Sequence, residues 1–293
     1  MIEGVPLIDA HIHAAQLASL KPSWDQWVMA GTAFPPERLY DEHGTLVPER
    51  FDDFLSSEGV DIGLLLAEYS PRVTGIQPVE DILPLVKHNP ERIHLVANIN
   101  PHLHHPVQDE LERQLQFGAV ALKIHPVHGA FPANARELYP AYGICADEGL
   151  PVVVHCGTSN FPGAANRFAD PIFIEDVAKD FPRLKIVLAH GGRGWWYDAA
   201  AFLALMRDNV WIELSGLPPR RLPHYFQNHD LERLAEKFIF GTDWPGCPGI
   251  RSNALAVAEL GLSEALIEKI YYRNALRVFG LRPVWENETP KGS

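Results

Sequence analysis

The sequence predicts a (β/α)8 barrel. Eight short apolar runs recur along its 293 residues, and most are followed by an amphipathic stretch. The runs are rich in Val, Ile and Leu with little alternation, as expected of strands buried on both faces of a parallel sheet. Histidine, lysine or aspartate stands at the C-terminal ends of five of them, the end at which barrel sites collect. A doubly wound open sheet is the rival, weakened because no glycine-rich phosphate loop follows the first run.

The first run, 5–12, centres on PLIDAH. The second, VDIGLLLAE at 60–68, leads into a predicted helix at 78–89, and the third, IHLVANI at 93–99, into a helix within PVQDELERQLQFG. The fourth is AVALKIH at 119–125 with a helix at 135–148; the fifth is PVVVHC at 151–156 with a helix at 171–181. LKIVLAH at 184–190 precedes a helix at 197–206, and NVWIELS at 209–215 precedes one at 230–236. The eighth run is FIFGTD at 238–243. A last helix is predicted at 263–279, with Ser263 as N-cap and Gly280 where a C′ glycine belongs.

Residues 14–47 break this rhythm before a short helix at 48–57. They hold Trp24, Trp27, Phe34 and Tyr40, with Pro22, Pro35 and Pro36. The expectation is one barrel domain over 1–293 with 14–47 inserted after its first strand. The insertion is a lid, a homodimer contact, or a loop whose aromatics only pack on the barrel rim.

A net charge of −12, spread along the chain, argues against nucleic acid and anionic membranes as partners and leaves a small-molecule substrate. No apolar stretch has transmembrane length, and no basic segment followed by a hydrophobic one opens the chain. The three cysteines, Cys145, Cys156 and Cys247, form no CxxC pattern and read as reduced thiols of a cytoplasmic protein.

Asp9, His11 and His13 follow one another at two-residue spacing, which on a regular strand puts all three on one face. Lys123 and His125 end the fourth run, His155 the fifth, His190 the sixth and Asp243 the eighth. A barrel brings these together, and so many buried polar groups are costly unless something pairs them. A bound divalent metal is the simplest partner. Imidazoles with a carboxylate suit zinc, with manganese, iron or nickel compatible by ligand type. His11, His13 and Asp243 are the expected ligands, with His155 in or beside the shell. Asp9 either orients an imidazole or ties the strand to its neighbour.

The ordered set IDAHIH, KIHP, VVVHCG, LAHGG, FGTDWP and IYYRNALRVFG resembles the amidohydrolase superfamily, and within it the amidohydrolase-related branch that also contains non-oxidative decarboxylases. The resemblance spans Asp9 to Phe279. It implies a barrel with one or two metal ions held by His11, His13, His155 and Asp243. His190 is then a ligand of a second ion or an imidazole facing the substrate. Lys123 is either carbamylated and bridging, or a free cation that recognises a carboxylate.

Two reactions follow. In hydrolysis of a lactone, ester or amide, metal activates water, Asp243 moves the proton and His190 stabilises the oxyanion. In decarboxylation of an aromatic or enol acid, metal chelates the substrate and Asp243 or His190 protonates carbon. A barrel without activity that serves as a binding protein is the third expectation, opposed by the complete set of polar strand ends. Candidate substrate contacts are Arg193, Arg72, Trp195, Trp244 and Asn98, with Trp196, Asn100 and Ser215 beside them.

Overall fold

Eight strands form one parallel sheet in the order of the sequence: β1 (Ile8–Ile12), β2 (Ile62–Leu66), β3 (Ile93–Ile99), β4 (Leu122–Ile124), β5 (Val152–Gly157), β6 (Ile186–Arg193), β7 (Val210–Glu213) and β8 (Phe238–Ile239). The computed structural model describes residues 1–31, 38–283 and 285. Phe34, Pro35 and Pro36 of the predicted insertion therefore lie outside the described residues. Backbone hydrogen bonds close the ring between its ends: Ala10 N to Phe240 O at 3.1 Å, Asp243 N to His11 O at 3.0 Å, and His13 N to Trp244 O at 2.8 Å. The barrel is the predicted one.

Helices α1 (Pro22–Gly31), α2 (Pro48–Ser57), α3 (Val79–His88), α4 (Val107–Leu115), α5 (Tyr139–Glu148), α6 (Ile172–Asp180), α7 (Tyr197–Met206), α8 (Leu231–Ala235), α9 (Ile250–Ala258), α10 (Glu264–Glu268) and α11 (Asn274–Phe279) join or flank the strands. Of these, α1 and α9 go beyond the helices that the sequence pattern predicts. The predicted helix at 263–279 is divided: a π turn at Lys269–Arg273 separates α10 from α11. Ser263 caps its start by accepting from Leu266 N, and Gly280 ends it in the left-handed conformation. Between β2 and α3 the chain forms an antiparallel hairpin, Glu68–Ser70 with Gly75–Gln77. Among the described residues, no helix is long and apolar enough to cross a membrane.

Two apolar clusters follow from the period-2 geometry of the strands. One lies between sheet and helices and holds Leu7, Ile12, Leu65, Leu122, Ile124 and Leu188. The other lies inside the barrel, where Ile8, Ala10, Ile62, Leu64, Val153, Val187 and Trp211 meet Ala275, Val278 and Phe279 of α11. The last helix therefore closes the N-terminal end of the barrel and leaves the C-terminal end for the polar residues.

The first strand departs from regular geometry in a way that matters. Asp9 pairs with Gly63, yet Ile12 pairs with Leu65, so β1 holds one more residue than β2 over the same span. This is a β-bulge, and it changes which face each later side chain takes. Ile8 and Ala10 point inward and Ile12 points outward, while His11 and His13 reach the cavity. The expectation that Asp9, His11 and His13 share one face is corrected accordingly. Asp9 faces the far end of the ring instead. It accepts from Thr242 Oγ1 at 2.6 Å, Thr242 N at 3.1 Å and His11 N at 3.1 Å. Of its two expected roles, tying the strand to its neighbour is the one these bonds perform.

Candidate metal centre

A cavity of about 330 Å³ opens at the C-terminal end of the barrel, lined by His11, His13, Lys123, His125, His155, His190, Arg193 and Asp243 among others. The ring thus brings together all the strand-end residues singled out from the sequence.

Their hydrogen bonds fix which ring nitrogens carry protons. His11 Nδ1 lies 2.8 Å from Glu213 Oε2 and donates to it, which leaves the Nε2 lone pair directed at His13 Nε2, 3.2 Å away. His190 Nδ1 donates to the Ser215 carbonyl at 2.9 Å, so its Nε2 lone pair faces His155 Nδ1 at 3.1 Å. His155 Nε2 in turn donates to Gly157 O at 2.8 Å, which makes that Nδ1 a lone pair as well. Two imidazole lone pairs facing each other at such a distance repel unless a proton or a cation lies between them. Asp243 Oδ1 stands 3.4 Å from His11 Nε2 and 3.2 Å from His13 Nε2. Ligand atoms of His11, His190 and Asp243 come within 4.8 Å of one another. These residues fit a divalent ion: neutral imidazoles, an ionised carboxylate and convergent lone pairs.

The charges agree with that fit. Burial, and then the neighbouring cations and imidazoles, hold His11, His155 and His190 well below the ordinary imidazole range, which favours the neutral, ligating form. Burial would raise Asp243, but His190, the hydrogen bond with His13, and His11 outweigh it and hold the carboxyl well below its ordinary value. Backbone geometry contributes too. His190 and Asp243 both take positive φ, 68° and 65°, a strained conformation for side chains with a Cβ and one concentrated at functional sites. Gly216, itself at φ 63°, leaves room beside them: a Cβ there would strike Arg193 Nη1 and crowd Asp243 Oδ2.

Sequence reasoning missed Glu213, the group that orients His11. Its carboxylate also accepts from Ser215 Oγ at 2.7 Å and is completely buried. The signal was present, a charged residue inside the apolar run NVWIELS. Burial raises Glu213 to about 8, against the Ser215 hydrogen bond and the charge of Lys123. Burial lowers Lys123 to about 8, against the pull of Glu213, Asp243 and Glu68. Among the described residues the Lys123 amine has no hydrogen-bond partner.

A second group of donors lines the same cavity. Glu68, His125 and His128 also bring ligand atoms within 4.8 Å of one another. His125 stacks on His128 at 3.7 Å between ring centroids and on His155 at 4.1 Å. Trp24 and Trp27 of α1, their rings 4.8 Å apart, form the outer wall with Phe161.

Comparison with known proteins adds the lineage. Residues 8–281 match the family model described as amidohydrolase. The chain belongs to the amidohydrolase family. Solved structures similar to this amidohydrolase include an uncharacterized TIM-barrel protein from Bordetella bronchiseptica (22% identity, TM-score 0.75, covering 94% of this chain and 99% of the other). Another is a dihydroxybenzoic acid decarboxylase from a Polaromonas species with bound manganese and the inhibitor 2-nitroresorcinol (17%, TM-score 0.67, covering 97% and 100%). A third is a probable 2-pyrone-4,6-dicarboxylic acid hydrolase from Acinetobacter baumannii (16%, TM-score 0.63, covering 94% and 99%). Comparison with curated proteins finds no match.

Within this amidohydrolase the remaining candidate substrate contacts separate by position. Arg193 reaches the cavity, with Nη1 3.6 Å from Asp243 Oδ2 and its Nη2 donating to Thr158 O. Four others lie outside the cavity lining. Arg72 is exposed and borders a different depression. Trp195 is 68% exposed beyond the rim. Trp244 is buried against Phe51 and Phe54, because the chain turns outward after Asp243. Asn98 donates to Ala67 O, joining β3 to the end of β2. Asn100 makes the same kind of bond to Tyr69 O, and Trp196 lies with Trp195.

Proposed function

We propose that this chain is a metal-dependent hydrolase of a small, carboxylated, cyclic or aromatic lactone, ester or amide. One observation carries the reading: the His11 Nε2 lone pair beside His13 Nε2, and the facing lone pairs of His155 and His190, converging beside the ionised Asp243. His11, His13, His155 and Asp243 would hold the ion, for which zinc is the best match by ligand type, and His190 borders it. When bound, the ion supplies Lewis acidity at the cavity floor. Asp243, kept ionised, takes a proton from the attacking water and returns it to the leaving group. The Ser215 carbonyl fixes the His190 ring, so that Nε2 would take up a proton at the site and then donate it to the reacting oxygen. Lys123 and Arg193 are the cations available to a substrate carboxylate, and Trp24, Trp27 and Phe161 offer a wall for a planar ring.

The residues of α1 on that wall support a lid role for the insertion at 14–47 within one catalytic unit spanning 1–293. Three buried, unpaired cysteines support a reducing, cytoplasmic setting.

Non-oxidative decarboxylation is the second reading. Two cations beside an aromatic wall suit an aromatic acid equally well, and the similar Polaromonas protein is a decarboxylase with bound manganese. Metal content of protein purified without chelator or added metal, followed by lactone, amide and carboxylic acid screens with carbon dioxide detection, decides between them. Metal-dependent turnover without gas supports hydrolysis. Gas release moves the assignment to decarboxylation. Protein that binds no ion and stays inert when metal is supplied overturns both.

A further inference from the structure

We propose that Ser159, His128 and Glu68 form a second reacting group in this cavity, a hydroxyl nucleophile with its own base that accepts acyl groups from small esters without metal. Ser159 Oγ lies 2.8 Å from His128 Nε2, and His128 Nδ1 lies 3.4 Å from Glu68 Oε1. A carboxylate only accepts, so His128 carries its proton on Nδ1 and turns the Nε2 lone pair to the serine hydroxyl. That is the tautomer a general base needs, and nucleophile, base and orienting acid stand in hydrogen-bond order.

The arrangement is held from outside. Thr74 Oγ1 donates to Glu68 Oε1 at 2.6 Å. Asn166 grips the Ser159 peptide at both ends, accepting from its N–H at 2.8 Å and donating to its carbonyl at 3.2 Å. Phe161 N donates to Ser159 Oγ at 3.3 Å, which leaves the hydroxyl proton for His128. Glu68, His128 and Ser159 are buried, and all three line the cavity that Asp243 lines. The same donors suit an ion poorly. His125 and His128 stack with only 14° between planes whose centroids are 3.7 Å apart, so their in-plane lone pairs lie in two separated, nearly parallel planes that do not meet at one ion.

In the reaction, Ser159 Oγ bonds to the ester carbonyl carbon as His128 Nε2 takes its proton. The carbon–oxygen bond to the alcohol breaks, and the alcohol leaves with that proton. Water, deprotonated by His128, then attacks the acyl carbon, releasing the acid and restoring the hydroxyl. The inference does not depend on the metal-centre reading, and chelation separates the two.

The test treats the full chain, as purified and after chelation, with p-nitrophenyl acetate, and locates the adduct by peptide mass spectrometry. One acetyl group on Ser159, unaffected by chelation and absent from Ser159→Ala, is expected. Glu68→Gln should slow acylation about a hundredfold, with partial rescue by Glu68→Asp. Asn166→Ala, which keeps the hydroxyl, should still be acetylated on Ser159 but more slowly, a readout that holds if Ser159→Ala folds poorly. Acetylation on Lys123 or elsewhere, or none, overturns the proposal. So does acylation lost with the metal, or a second bound ion that Glu68→Gln removes.

Discussion

The Glu213 carboxylate touches no part of the cavity, yet it sets the protonation of His11 through a 2.8 Å bond to Nδ1. Carboxylates placed behind metal-binding histidines fix tautomer and ring orientation, and their loss typically weakens metal binding 10–100-fold. Glu213→Gln should therefore keep the fold but lose metal affinity by roughly that factor, read by titration against a competing chelator. Unchanged affinity would mean that Ser215 alone orients the ring. Asp9 calls for a different measurement. Burial raises it from 3.8 to about 8, against hydrogen bonds from Thr242 and His11 N. A carboxyl protonated in the fold but ionised in the unfolded chain binds more protons when folded. Stability should then fall as pH rises from about 4 to about 8, by a few kcal/mol. Asp9→Asn removes the ionisable group, keeps an amide oxygen to accept from Thr242, and should flatten that slope in denaturant titrations at several pH values. Persistence of the full slope in Asp9→Asn would assign it to another group. At this scale the sequence shows chemistry wherever a polar residue ends an apolar run, as at His155, His190 and Asp243. It does not show Glu68, His128 and Ser159 as a group, because no spacing relates residues that meet only when the segments following three different barrel strands converge.

Elements depend on geometry that residue types alone do not specify. Two-residue spacing in IDAHIH predicts one shared face, and the bulge in β1 overrides it because ring closure against Thr242 and Trp244 needs Asp9 on the other side. In α1, Trp24 and Trp27 pack on His13 at 5.3 and 6.3 Å between centroids, so a segment far from the strand ends supplies part of the cavity wall. Proline-rich composition concealed that helix, although Pro22 stands at its first position, where proline is tolerated. Trp27→Ala should raise KM for planar substrates two- to tenfold, the equivalent of the roughly 0.5–1.5 kcal/mol typical of a lost aromatic contact. Metal content should stay unchanged. A fall in kcat alone, with KM unaffected, would instead place Trp27 in closure of the site rather than in substrate contact.

The whole molecule separates stability from chemistry along the barrel axis. Polar strand ends gather at one mouth, and α11 seals the other with Ala275, Val278 and Phe279 against Ile8, Val153 and Trp211. Lys185 locks that seal from the start of β6, its Nζ donating to Val278 O at 3.0 Å and Arg277 O at 3.3 Å, where a cation also suits the C-terminal end of a helix. The RNALRVFG segment carried much of the resemblance seen in the sequence, yet none of its side chains lines the cavity. Its part is packing. Phe279 is 5% exposed, and truncation of such a ring typically costs about 3–5 kcal/mol, a large fraction of a domain stability of about 5–15 kcal/mol. Phe279→Ala should lower the urea midpoint by a corresponding amount while the folded protein keeps its full metal content and turnover. Metal loss well below the unfolding transition would show instead that closure at one end holds the strand ends in register at the other, because all eight strands run through both.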